Sequence, residues 1–292
     1  MQQVYELSRL AMRSIKLILG ACLSFLLLHF SGAGHTFTAT DGRTLEATII
    51  RYQPNQDLVE IKRTDGTLLR VKSTLFESTD QTYIKKWYAA QQFDSSYFHM
   101  QIKEVEGPYK KQTHSIDFGE ERKGLPGAGF GNVEIATDKK TPVSYQLTLH
   151  NKASVPIEKV KIEYKIYYQQ ETAVAIEVPD EQQTDRNRLL APHRPQNQLK
   201  IKEGRFKTLS LEAGETWEDD SPMITLLERK TLRRYQQYIN LDSKPMGIWV
   251  RCSHRDPDGN VIVRDFIEPA RLEEDVSWDQ EEKVETRSRA VN

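Results

Sequence analysis

The run Val160–Tyr168, VKIEYKIYY, constrains the fold more than any other stretch of the chain. Val160, Ile162, Tyr164, Ile166 and Tyr168 share one parity, and Lys161, Glu163 and Lys165 share the other. A period of two puts these sets on opposite faces of an extended strand, one buried and one wet. The β-branched and aromatic content favours the same state. The run is therefore expected to be a central strand of a sandwich, with Ile162, Tyr164 and Ile166 in the core. Val143, Tyr145, Leu147 and Leu149 alternate likewise, and the Asn151–Pro156 loop is expected to join the two strands as a hairpin. Ile248–Cys252 and Val261–Val263 flank Asp256-Pro257-Asp258-Gly259-Asn260, a second hairpin with turn-forming residues at its tip.

Phe98, Met100 and Ile102 suggest an opening strand, and Phe206, Leu209 and Leu211 a further one. Several antiparallel strands with polar turns predict an immunoglobulin-like β-sandwich over residues 95–272. The Cys-Trp-Cys framework of antibody domains is absent from the sequence. Two stretches depart from the pattern. Glu181–Lys200 is polar, contains Pro192 and Pro195, and reads as a long exposed loop. Leu226–Ile239 holds good helix formers (Leu226, Leu227, Lys230, Arg234) and reads as a surface helix. Residues 273–292 are acidic and poor in apolar side chains, which predicts a disordered tail.

The N-terminus reads as an address. Arg13 and Lys16 precede or open the apolar run Ile15–Phe30, and the small residues Ser31-Gly32-Ala33-Gly34 follow it. The run is shorter than the roughly 20 residues of a spanning helix and matches a signal peptide, residues 1–33, cut after Ala33. Met12 opens a more typical signal than Met1 does. Leu19-Gly20-Ala21-Cys22 also has the form of a lipobox, and the same run can serve as an uncleaved anchor. Export leaves Cys252 as the one thiol of the mature chain, because Cys22 goes with the leader.

Between these regions lie four short β-prone runs: Thr36–Thr38, Leu45–Tyr52, Leu58–Arg63 and Leu68–Lys72. Asp41-Gly42, Pro54-Asn55 and Asp65-Gly66 punctuate them, and Asp-Gly is a strong hairpin signal because glycine accepts φ > 0. Ser78-Thr79-Asp80-Gln81 has the form of a capping box, and Tyr83, Ile84, Trp87 and Tyr88 make one apolar stripe on the helix it starts. The expected unit, residues 34–94, is a small barrel closed by that helix. Phe37-Thr38, Asp41-Gly42-Arg43, Ala47, Asp65-Gly66, Val71, Phe76, Asp80 and Tyr83 give this segment its resemblance to the SLA homology domain, an SH3-like module. That resemblance implies an SH3-like barrel. In eukaryotic adaptors such modules recognise Asn-Pro-Phe-x-Asp peptides, and versions recur in exported planctomycete and verrucomicrobial proteins. The chain departs from the family at Val71-Lys72-Ser73-Thr74 and Phe76-Glu77, and no peptide-binding residue is carried over.

The net charge of −1, from 41 basic and 42 acidic residues, offers no general basic excess for nucleic acid. Gly124–Gly131, GLPGAGFG, lacks the Gly-Lys-Ser/Thr and following helix of a phosphate cradle and reads as a loop. Asp256–Asn260 lacks the spacing and terminal glutamate of an EF-hand and reads as a turn. His99, His114, His150, His193 and His254 show no paired spacing that would announce a zinc site. G-x-S-x-G, H-E-x-x-H and S-x-x-K are absent from the sequence. Cys252 shares parity with Ile248 and Val250 and reads as a small buried hydrophobe. Tyr97, Tyr109, Trp217 and Trp278 are candidate contacts for a carbohydrate or peptide, Trp278 because it stands in the acidic tail.

Catalytic, cofactor and metal residues are accordingly expected to be none. The expectation is a mainly β, exported, non-enzymatic binding or scaffold protein of the bacterial envelope, with a protein or peptide partner. Nucleic acid is not an expected partner, and membrane contact is expected only through a retained N-terminal segment. A carbohydrate-binding module, or an accessory of an envelope enzyme, is the alternative.

Overall fold

The computed structural model describes residues 34–117, 132–175, 193–232 and 238–284. The leader, GLPGAGFG and residues 181–192 of the expected loop lie outside them. The chain is mainly β and divides into two compact units, with the division between Ile84 and Lys85. The expected boundary at residue 94 is thus displaced into a helix.

In the first unit, strands β1 (His35–Thr38), β2 (Thr44–Gln53), β3 (Leu58–Arg63) and β4 (Leu68–Lys72) form an antiparallel meander in that order. All four expected runs are strands. Gly42 and Gly66 sit at the turns with φ of 84° and 86°, which explains the Asp-Gly pairs. Ala39 bridges Phe76, so the chain leaving β4 closes on the end of β1. Phe37, Val59 and Ile61 are fully buried inside. Helix α1 (Ser78–Phe93) follows. The side chain of Gln81 donates to the Phe76 carbonyl, at 2.8 Å, in place of the Gln81 contact that a capping box makes.

The second unit is two sheets. In one, strand β7 (Asn132–Asn151) is flanked on one side by β5 (Phe98–Glu106) and β6 (Lys110–Asp117) in tandem. On its other side stand β11 (Thr216–Asp220) and β12 (Ile224–Leu232), with β13 (Tyr238–Leu241) beyond β12. In the other sheet, β8 (Ile157–Ala175) lies between β14 (Ser243–Arg255) and β9 (His193–Arg205). Strand β15 (Val261–Glu268) pairs with β14, β10 (Leu209–Leu211) with β8, and β16 (Lys283–Val284) with β9. Val143, Tyr145, Leu147 and Leu149 meet Val160, Ile162, Tyr164, Ile166, Ile248, Val250 and Cys252 in one core. The alternation of VKIEYKIYY holds: Ile162 is buried and Lys161 exposed.

Four expectations are corrected. Asn151–Pro156 does not turn a hairpin; it carries the chain from one sheet to the other. Asn151 is fully buried, and its side-chain amide donates to the carbonyls of Val155, Leu211 and Glu212, which fixes the crossover. The expected helix at Leu226–Ile239 is strand β12 as far as Leu232, because tertiary pairing outweighs a weak helical preference. There Arg229 stands opposite Asp138 and Glu228 opposite Lys139 on β7. The expected loop ending at Lys200 is already strand from His193. Among the described residues β16 pairs with β9 at Gln198 and Leu199 alone, and Pro195 lies beyond that pairing, where a missing N–H is tolerated.

The fourth correction is the tail. Residues 273–284 are ordered, and the second unit runs past 272. Helix α2 (Leu272–Asp275) and the residues after it lie across the outer face of the β8 sheet. Leu272 and Val276 are buried there with Tyr167, whose hydroxyl donates to the Ser277 carbonyl at 3.0 Å. Trp278 meets Trp249 edge-on, and the Arg251 guanidinium lies 4.3 Å from its ring centre. Three apolar anchors thus order a segment whose average composition predicts disorder. Gly247, with φ of 146°, lets Glu268 approach: a Cβ there would stand 2.3 Å from the Glu268 carbonyl oxygen.

One ion pair supports a pH prediction. The Asp138 side chain is 3% exposed and takes a forked pair of bonds from Arg229, at 2.6 and 2.8 Å. With His114 Nε2 also at 3.3 Å, the Arg229 bonds outweigh burial and hold the Asp138 carboxyl at about 2. A carboxyl with a depressed folded-state pKa stabilises fully above its unfolded value, near 4, and loses that contribution as pH falls towards 2. Solvent screening at the partly exposed Arg229 limits the effect to on the order of 1–2 kcal/mol. Urea midpoints from pH 5 to pH 2 should therefore fall less steeply in Asp138→Asn than in the parent. Identical slopes would show that the pair contributes nothing.

Candidate functional site

Among the described residues, the clearest opening for a partner is the edge of β15 that faces away from β14. The Asp256–Asn260 turn delivers this strand rigidly. Both Asp256 carboxylate oxygens accept from Asn260, at 2.7 and 2.9 Å, and Gly259 supplies φ of 90°. Those oxygens are satisfied within the turn itself. Among the described residues β15 pairs with β14 alone. Val261 and Val263 are 51% and 47% exposed, on the outer face. Natural edges are usually blunted by lysine, proline, bulges or inward-pointing charges, of which β15 has the inward Arg264 alone. Val261–Glu268 contains neither lysine nor proline, and its register with β14 runs without a break.

Two of the three charges of this strand, Arg264 and Asp265, are engaged within the unit, and Glu268 is exposed at its end. Asp265 takes a forked pair from Arg251, at 2.8 and 2.9 Å, within a cross-strand row Asp265–Arg251–Glu163–Arg205. Arg264 turns inward, and its Nη1 donates to the carbonyls of Phe93, Ser95 and Phe98, at 2.9, 2.6 and 2.5 Å. Burial lowers the Arg264 pKa from its usual value. What remains open is the backbone edge and the two valines. The row Val263–Ser253–Lys161 continues from them on the outer face.

The other residues singled out by sequence are dispersed. Trp217 packs on Phe206 at 5.2 Å against the core, and Trp278 is pinned by Arg251, so neither offers a bare ring. Tyr97 and Tyr109 are exposed. Cys252 is buried among apolar side chains, which raises its thiol pKa to about 12 and keeps it protonated. His254 is buried, its Nδ1 donates to the Glu158 carbonyl at 2.9 Å, and burial lowers its pKa. His114 joins Asp138. His99 and His150, by contrast, are brought directly opposite one another on β5 and β7.

In the first unit the motif residues have structural roles. Asp80, nearly buried, accepts from the Thr38 backbone and meets His35 Nε2 at 2.8 Å, while the His35 ring stacks on Tyr83 at 3.7 Å. Asp57 accepts the Ser73 hydroxyl and so ties β3 to the end of β4. Among the described residues no cluster of three or more His, Cys, Asp or Glu is placed to hold a metal, and no helix is long and apolar enough to cross a membrane.

No protein-family model matches the sequence. No curated protein matches it either. Among solved structures, an X-ray structure of a Northeast Structural Genomics Consortium target aligns with 9% identity. It covers 59% of this chain and 85% of that chain, at a TM-score of 0.23. A superposition at that level does not define a shared fold.

Proposed function

We propose that this chain is an exported, non-enzymatic binding or scaffold protein of the bacterial envelope that takes up an extended peptide or protein segment on β15. The open edge with its two exposed valines carries the reading. Backbone hydrogen bonds along a strand edge supply affinity with little demand on sequence, and alternate side chains of the guest add selectivity. The first unit, on this reading, is an SH3-like module of the SLA homology type; its bridged meander supports that assignment of fold. Phe37, Phe76, Asp80 and Tyr83 of its motif pack or bond within the unit, and the partner site is placed on the second unit because of its open edge.

The test is photo-cross-linking inside producing cells, with the cross-linker at Val263 and, as a control, at Tyr109, which is 61% exposed in the loop between β5 and β6 of the other sheet. A discrete adduct is expected at Val263 alone, carrying a mature N-terminus near Gly34. Val261→Lys, which blunts the edge without touching the core, should abolish it. Equal labelling at Tyr109, an adduct indifferent to Val261→Lys, or an intact Met1 or Met12 would overturn the corresponding part of the proposal.

A further inference from the structure

We propose that His99 and His150 form a two-imidazole site for a divalent transition-metal ion on the outer face of the β7 sheet. Strand pairing sets them directly opposite each other, and their rings are near-parallel, 11° apart, with centres separated by 6.5 Å. Two imidazoles on one tetrahedral ion, each nitrogen about 2 Å from it, have ring centres roughly 5 Å apart. The observed pair is wider than that, so the rings close by about 1 Å to share an ion. His99 is exposed, and it is the ring of the pair that moves to close the gap.

A second observation concerns orientation. His150 Nδ1 lies 2.8 Å from the Thr216 hydroxyl on β11, the strand on the other side of β7. In the tautomer that donates from Nδ1 to Thr216, Nε2 keeps its lone pair, and the ring is held in place. Metal-ligating histidines are commonly fixed this way by a hydrogen bond at the other nitrogen.

Imidazole nitrogens suit copper, nickel and zinc and are poor ligands for magnesium or calcium. With two protein ligands and water in the remaining positions, the site holds an exchangeable ion, unlike a closed structural zinc. An ion bound there clips β5 to β7, so metal stabilises the sandwich by mass action.

Calorimetric titration of the untagged chain with Zn2+ tests the inference. One ion per chain is expected, with Mg2+ silent. His99→Ala and His150→Ala should each weaken Zn2+ by at least about tenfold, and Thr216→Val by less, since it only orients a ligand. His114→Ala, whose ring is engaged with Asp138, should leave the affinity unchanged. Each variant must keep the parent's metal-free melting temperature, which His99 and His150 allow from their outer-face positions. As an independent readout, substoichiometric Ni2+ should broaden amide resonances around His99 and His150 first. Absence of Zn2+ binding at millimolar concentration, or binding indifferent to both histidine variants, overturns the site.

Discussion

Arg264→Ala is expected to lower stability by about 2–3 kcal/mol. One guanidinium nitrogen serves three carbonyls, those of Phe93, Ser95 and Phe98, where α1 ends and β5 begins. Helix ends leave carbonyls without internal partners, and a cation there also meets the negative end of the helix dipole. The rest of the side chain packs near Phe98 and Phe266, with its guanidinium 5.9 and 5.1 Å from their ring centres. Arg264→Lys should recover part of the loss, because an ammonium reaches fewer of the acceptors. Denaturant midpoints at neutral pH check it. A change below about 0.5 kcal/mol, the scale of an ordinary surface substitution, would show that water replaces the guanidinium without cost.

Arg264 also illustrates where the sequence stops being legible. Its strand was readable from Val261-Ile262-Val263 and the turn before it, because a period of two and turn formers are local signals. The acceptors of Arg264 were not, since they lie far away in the chain and only folding brings them in. The His99–His150 pair is hidden for the same reason: it exists through the register of β5 on β7, which neither histidine's neighbours announce. Leu226–Leu232 misled because leucine, lysine and arginine suit a helix while cross-strand partners decide otherwise. The tail misled because composition averages over residues: Leu272, Val276 and Trp278 are three among many acids. The β15 edge was legible as a strand, but its openness depends on which strands lie beside it.

Ile162→Ala is expected to cost on the order of 2–5 kcal/mol, from lost burial and the cavity left behind. Ile162 is 1% exposed and faces the fully buried Val143, Tyr145, Leu147 and Leu149 cluster across the sandwich. Its neighbour Lys161 is exposed on the outer face beside Ser253, and Lys161→Ala should change stability by only about 0.5 kcal/mol. The contrast tests register as well as burial, because a slip of one residue exchanges the faces. Equal small effects would mean that β8 is peripheral. A larger loss at Lys161 would mean that the faces are reversed.

The segment over the outer face of the β8 sheet has a consequence for the order in which the protein is made. Tyr167 on the outer side of β8 is sealed by Leu272 and Val276, which are synthesised well after it. Until then the growing polypeptide presents a greasy flank with Tyr167 and Trp249 uncovered. A product cut short before Leu272 keeps both sheets and loses the seal, so premature termination or C-terminal trimming yields a sticky molecule in place of a smaller working one. The sealing segment carries Glu273, Glu274 and Asp275 between Leu272 and Val276, charges that favour its solvation before it docks.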